Sequence, residues 1–543
     1  MTRRRWAGLA IVLAASVPYL PSVDDYFVQD DFGVVWLLSQ KPASAFLGWF
    51  ASTWMDDIWG YTPDEIRPFP AVTYRLAALA GAGSPVANHL LNIALHAANA
   101  LLVCAIGVRA AGLGLPAALL AALVFALLPA QAETVAWVTG RVDSMPALFY
   151  TGSFLAYVCW RATAARRLYV ASLVLFFVAL FSKQNTVTFV PAILLYDAIV
   201  ARGAGRREQS QQEGGSPVFV FTATWDLVRP YLPFVALTAG FLLLRWVLFG
   251  EVARESTLNA QALELFAQMT ARHVQRLVVG QPLSDTALVV PLLVAVVAVF
   301  ALALRSEIDR GRAARAAAYF GVAWVALGIA PTLVSGYEST RHIYLASFGS
   351  AVAFGVAADV LWHARPRRLM RPAAALAGAL VLSAYMVQLA DVVRDWGVRA
   401  AVSRQAVTDL EREALAAPEG TLVVAGVSPR SWEWSLPFAA RPPFAGVDVT
   451  RRVTLVYPVL LHCCRGQWGQ ETARALSSWA RRADAPPIVV LAWDERTGAL
   501  SRLTDREEPF VRDVMLALAE VGDPSAIQSG LTSLIDSVVS GTR

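Results

Sequence analysis

The chain has 543 residues, of which 56% are apolar and 16% charged, and its mean hydropathy is +0.50. A soluble chain of this length carries about 25% charged residues, so an ordinary set of cytosolic domains is excluded and a polytopic membrane protein is expected. The 46 basic against 41 acidic residues leave a net charge of +5, too small and too dispersed for a nucleic-acid binder. Cys104, Cys159, Cys463 and Cys464 have neither zinc-ligand spacing nor the pattern of a disulfide framework.

A bilayer core of about 30 Å takes about 20 apolar residues per helix. Such runs fall near residues 6–22, 85–108, 116–136, 144–160, 168–182, 186–201, 230–249, 285–304, 316–335, 343–362 and 372–390, about eleven in all. The first follows Arg3, Arg4 and Arg5; Ala14, Ala15 and Ser16 resemble a cleavage site, but the run is read as an uncleaved anchor. Arginines cluster on one side of these runs, at 3–5, 109, 161–167, 202–207, 305–315 and 365–371, and by the positive-inside rule that side is cytoplasmic. The opposite side receives Asp24–Ser84, Gln131–Asp143, the turn at Lys183, Glu251–Thr286 and Gly336–His342. With an odd number of spans, the stretch from about residue 394 lies outside as well. There, helical patterns at 402–416, 471–482 and 509–521 alternate with β-branched runs at 421–427, 453–457 and 488–493, which predicts a small α/β domain. The expected division is a membrane domain over 1–393 and an external domain over 394–543.

The first external segment concentrates Asp24, Asp25, Asp30, Asp31, Asp56, Asp57, Asp64 and Glu65 among Trp36, Trp49, Trp54 and Trp59. Two readings stand: a solvated loop with an aromatic belt, or an active site in which Asp30 and Asp31, held close to the membrane surface, take a proton from an attacking hydroxyl. In the same leaflet Arg141, Lys183 and Arg341 stand at the mouths of spans, with Arg272 and Arg276 in a longer loop. Cations there either snorkel or bind an anionic headgroup, Arg by a bidentate fork and Lys as a point charge. Asn88, His89, Asn92, His96 and Asn99 form one helical stripe, read as interhelical hydrogen bonding.

These residues stand in a familiar order. Phe27-Val28-Gln29-Asp30-Asp31, Arg67-Pro68, Asn88-His89-Leu90-Leu91-Asn92 with His96 and Asn99, then Pro129, Glu133, Ala136-Trp137-Val138, Gly140-Arg141 and Asp143 resemble the membrane region of the transmembrane, TPR-repeat-containing O-mannosyltransferases. Ser182-Lys183, Val187-Thr188, Tyr196-Asp197, Arg341, Tyr344-Leu345 and Ser347 continue the match. The resemblance implies a GT-C-like bundle that takes sugar from a polyprenyl-phosphate carrier on the non-cytoplasmic side, with Asp30 as catalytic carboxylate. Leu128 and Gln131 replace two histidines of that family, Gln184 replaces a glutamate, and the TPR repeats are absent, so sugar and acceptor stay open.

The expectation is thus an integral membrane glycosyltransferase acting by inverting single displacement. Asp30, assisted by Asp31, is the catalytic base; Arg341, Lys183 and Arg141 bind the donor phosphate; Glu133, Arg67 and His89 position substrate. No metal ligands are assigned, although a divalent ion beside Asp30 is compatible with the chemistry. A transporter or flippase of a lipid-linked sugar, or a sensor with an external binding domain, are the alternatives; the near absence of charge at span centres disfavours a translocation path. The expected partners are the polyprenyl-phosphate sugar, an acceptor hydroxyl on protein, lipid or glycan, and the bilayer, with no nucleic acid. The Ala/Arg-rich, Lys-poor composition points to a bacterial inner membrane with a periplasmic active side.

Overall fold

The computed structural model describes residues 2–55, 65–81, 84–201, 228–252, 260–280, 311–335, 338–426, 436–457, 465–481, 487–494, 497–502, 508–521 and 523–540. The predicted span at 285–304, Asp56, Asp57, Asp64 and the Cys463–Cys464 pair lie outside these residues. Two compact units emerge. The first comprises Met1–Pro21, Ile66–Pro70 and His89–Arg394; the second comprises Ser22–Glu65, Ala71–Asn88 and Asp395–Arg543.

The first unit is helical. Among the described residues, Val86–Arg109, Leu232–Phe249, Ala314–Ser335 and Arg367–Ala416 are long and apolar enough to cross a membrane. Leu115–Leu127 and Pro129–Ala136, bent by 51°, add a fifth if taken as one broken span. The predicted span at 168–182 is the 15-residue helix Arg166–Leu180, and the one at 186–201 is shorter as an α-helix: Phe189–Tyr196 has 8 residues, followed by a π-turn at Asp197–Ala201. Leu243, Val247, Leu376, Leu380 and Val387 are exposed, the disposition of side chains that face lipid. Inside the unit, Phe154, Phe320 and Trp324 interlock, with Phe154 stacked on Phe320 at 5.4 Å and edge-on to Trp324 at 4.9 Å. Packing there depends on missing side chains: a Cβ on Gly328 would lie 2.6 Å from the Cα of Ala346, so the helices Gly311–Ser335 and Ser347–His363 can approach closely. Trp324 Nε1 donates to Leu345 O at 2.9 Å and fixes the turn between them.

In the second unit four strands run in the order β2-β1-β3-β4, with β1 Leu422–Gly426, β2 Thr454–Val456, β3 Ile488–Asp494 and β4 Ala499–Arg502. The first three are parallel and β4 is antiparallel to β3. Alternate residues Leu422, Val424, Ile488 and Val490 face a core completed by Leu476, Trp479, Met515 and Leu531 of the covering helices, the arrangement that parallel strands buried by crossover helices require. The unit also takes in Ser22–Glu65, where Phe27, Phe32 and Trp36 pack on Phe444 and Phe438. The predicted boundary near residue 394 falls within the helix Arg367–Ala416.

Candidate active site

The segment 129–140 of the first unit is a chain of short turns: a 3-10 turn at Pro129–Gln131, a helical turn at Ala132–Ala136 and another 3-10 turn at Val138–Gly140. Gly140 is required where the last turn folds back, since a Cβ there would run into the backbone carbonyls of Glu133 and Thr134. The polar stripe of the Val86–Arg109 helix holds this loop. Asn92 Nδ2 donates to Trp137 O at 2.8 Å and reaches Val135 O and Val138 O at 3.3 Å. Asn99 Nδ2 donates to Ser144 O at 2.9 Å, and His96 is hydrogen-bonded to Tyr344 OH at 2.8 Å and Ala126 O at 3.1 Å. The hydrogen-bonding role expected of the stripe is thus observed at Asn92, His96 and Asn99.

Three loops bring alternating charges together. Lys183, at the turn before the 3-10 segment Gln184–Thr188, forms an ion pair with Asp143 in the first turn of the helix Arg141–Thr163. Arg341, in the 3-10 segment Thr340–Ile343, places Nε 3.4 Å from Asp143 Oδ2 and donates from Nη1 to Glu133 Oε1 at 3.0 Å. Its backbone N–H reaches Glu133 Oε2 at 3.3 Å, and its guanidinium lies 4.7 Å from the centre of the Trp137 ring. Ser339 Oγ also donates to Glu133. The side chains of Lys183, Asp143, Arg341 and Glu133 are 10%, 3%, 15% and 18% exposed, so water screens these charges poorly.

Burial pushes the Lys183 ammonium down to about 8, opposed by the carboxylate of Asp143 and reinforced by the positive charges of Arg67 and Arg341. Arg67 thus belongs electrostatically to the same cluster. Lys183 and Arg341 meet the carboxylates of Asp143 and Glu133, the charge of Arg67 acts on Lys183, and fully buried Arg141 begins the helix that carries Asp143. Guanidinium and ammonium donors that converge in a poorly hydrated site suit an anion with oxygen acceptors, such as a phosphate.

Other expected residues have different surroundings. His89 is buried in the Val86–Arg109 helix, one turn before Asn92. Arg272 and Arg276 are engaged by Glu338: Arg272 Nε donates to Glu338 Oε2 at 2.8 Å and Arg276 pairs with the other oxygen. Burial raises the Glu338 carboxyl, but the Arg272 hydrogen bond and the two guanidiniums outweigh it and hold the group below its ordinary value. In the second unit, Asp30 and Asp31 open the helix Asp30–Gln40, where carboxylates complement the helix dipole. Asp31 is buried and accepts the Val28 N–H at 3.0 Å; Asp30 is half-buried. Among the described residues no three His, Cys, Asp or Glu side chains group as a metal site. Sequence reasoning gave no role to Asp143, Ser339 or Trp137; Asp143 and Trp137 stood among the residues that carry the family resemblance, which was the signal that could have found them, and Ser339 had none.

No protein-family model matches the chain. It is 34% identical over 171 residues to human protein O-mannosyl-transferase TMTC4, an overlap of 28% of this chain and 23% of that protein. It is 27% identical over 281 residues to the mouse protein of that name, covering 45% and 37% of the two chains. The chain therefore spans well under half the length of these relatives. Among solved structures it is similar to ArnT from Cupriavidus metallidurans: the apo form superposes with a TM-score of 0.51 at 15% identity, covering 91% of this chain and 94% of that one. The same protein bound to undecaprenyl phosphate gives 0.50 at 14% identity. The GT-C-like helical architecture expected from the resemblance is thus a shared fold.

Proposed function

We propose that the chain is an integral membrane glycosyltransferase that moves a sugar from a polyprenyl-phosphate carrier to an acceptor hydroxyl at the non-cytoplasmic face. The observation that carries this reading is the buried cluster in which Lys183 and Arg341 converge on Asp143 and Glu133, with Arg67 acting on Lys183 through its charge. The likeness to protein O-mannosyl-transferases and to a fold that holds undecaprenyl phosphate supports it. Lys183 and Arg341 hold the donor phosphate, Arg141 and Arg67 add to the positive field, and Glu133 and His89 position. As the bond from the anomeric carbon to the phosphate oxygen breaks, negative charge grows on the leaving group, so the cations stabilise the transition state more than the bound donor. Asp30 accepts the acceptor's proton while that oxygen attacks the anomeric carbon, and Asp31 orders the turn in front of it. One displacement inverts the anomeric centre and releases polyprenyl phosphate. A bacterial inner membrane with a periplasmic active side is the proposed setting.

The test is to incubate the purified full chain with undecaprenyl phosphate carrying mannose, glucose, galactose or arabinose, and to measure free undecaprenyl phosphate. Release from one of these donors, lowered about 100-fold or more by Asp30→Asn as expected on removing a general base, is the predicted result. Transport of intact donor without release would establish the flippase reading instead.

A further inference from the structure

Among the described residues only Gln29 and Ala164 take a positive φ without being glycine. Ala164, at φ 55° and ψ 15°, is a left-handed cap that ends the helix Arg141–Thr163. Gln29, at φ 50° and ψ −122°, lies outside that region and stands directly before Asp30. Such a conformation persists only where the surroundings over-determine it, and it is enriched at functional sites.

Part of what holds it is local. Asp31 accepts the Val28 N–H at 3.0 Å and donates its own N–H to Val28 O at 3.1 Å, which closes a loop around Gln29 and Asp30. The rest comes from more than 370 residues further along the chain. Ser403 Oγ donates to Phe27 O at 2.7 Å, and both residues are buried. Tyr26 OH donates to Phe444 O at 2.9 Å. The Phe444 ring meets Phe27 edge-on at 5.1 Å and Phe32 at 4.8 Å, so the turn is gripped on both its entry and its exit.

We propose that the segment following Arg394 serves the reaction as a clamp, with Ser403 and Phe444 as positioning residues that keep the Gln29 turn in its strained form and thereby aim the Asp30 carboxylate. The proposal rests on reading Asp30 as the base. It gives the C-terminal region a catalytic consequence, although neither Ser403 nor Phe444 carries an acid–base group suited to the reaction. A carboxylate on a relaxed turn would sample several directions, and a misplacement of about 1 Å lowers a rate by about 100-fold.

The experiment uses the full chain in lipid nanodiscs, with Ser403→Ala, Phe444→Ala, Phe444→Tyr, Asp30→Asn and the double variant Asp30→Asn/Phe444→Ala. Amide exchange over residues 24–38 reports the turn, exchange over β3 reports folding of the domain, and undecaprenyl phosphate release from the donor sugars named above reports turnover. Phe444→Ala is expected to raise exchange over 24–38 while β3 keeps its wild-type rate. It should lower kcat by about 10- to 100-fold, with KM for the donor unchanged. Phe444→Tyr, which keeps the ring, should restore both, and Phe444→Ala should add nothing once Asp30 is Asn. If Phe444→Ala perturbs β3, Ser403→Ala, which removes one hydrogen bond, carries the test. Wild-type exchange over 24–38 in Ser403→Ala and Phe444→Ala overturns the clamp, as does raised exchange with unchanged kcat. Full turnover by Asp30→Asn overturns the base reading and the proposal with it; raised exchange in that case identifies the role of Asp30, not the grip on the turn, as the part that failed.

Discussion

At the scale of single residues, the cluster around Asp143 is a set of mutual obligations. Removing one partner of a buried ion pair leaves the other uncompensated, a loss of about 3–5 kcal/mol, so the cluster resists change for structural reasons before any substrate is considered. Binding measurements separate that from function. If Arg341 and Lys183 hold a phosphate, Arg341→Ala and Lys183→Ala each weaken binding of a non-hydrolysable donor analogue by about 1.5–3 kcal/mol, the range for hydrogen bonds to charged groups. Arg341→Lys rescues only in part, since an ammonium lacks the planar fork; normal donor affinity in both Ala variants would end the phosphate assignment. Lys183 also predicts a pH dependence. Its folded value, near 8, is below the ordinary 10.5, so it is charged below pH 8 and loses its proton as pH rises through that value. Donor affinity therefore falls above about pH 8, and Lys183→Arg, which stays charged, abolishes that fall. Stability moves the other way: between about 8 and 10.5 the unfolded chain binds more protons at this lysine than the folded chain does, so the contribution of this group to stability rises with pH across the window.

At the scale of elements, the loop 128–143 has its shape from backbone contacts. Asn92 supplies donors to three carbonyls, and Gly140 leaves room for two more to pass close by. Gly140→Ala forces those carbonyls apart at a cost of about 1–3 kcal/mol, the usual penalty for overpacking, and displaces Glu133 from Arg341. A thermal melt of the purified variant should show the loss, and donor binding should weaken with it. A wild-type melting temperature would mean that the loop can open without harm. Asn92→Ala is expected to cost about 1–3 kcal/mol as well, because buried carbonyls lose their donor. The asparagine–histidine stripe was legible as a hydrogen-bonding face from helical spacing alone. Its partners were not, since a stripe states which residues share a face and leaves open what that face meets.

At the scale of the whole molecule, the arginine asymmetry makes a claim that accessibility can check. In a chain with Cys104, Cys159, Cys463 and Cys464 replaced by Ser, a membrane-impermeant thiol reagent applied from outside should label a cysteine introduced at Asp56 or at Arg512, and should miss one introduced at Arg206. Labelling at Arg206 from outside would reverse the assigned orientation and remove the ground for assigning Lys183 and Arg341 to the external leaflet.

Composition and run length alone determined that this is a multi-span membrane protein, because about 20 consecutive apolar residues have few stable fates outside a bilayer. Arg141, Lys183 and Arg341 could also be singled out from sequence, since charge in a short loop between apolar runs is conspicuous. What only tertiary structure decided is which carboxylates those cations meet. Asp143 and Glu133 are met by Arg341 about 200 residues away and Asp143 by Lys183 40 residues away, and no local pattern encodes such separations. The grouping of Phe27, Phe32 and Trp36 with Phe444 and Phe438 is of the same kind. Apolar burial is non-directional, so a sequence shows that these rings must be covered, while the chain's path in space selects the residues that cover them.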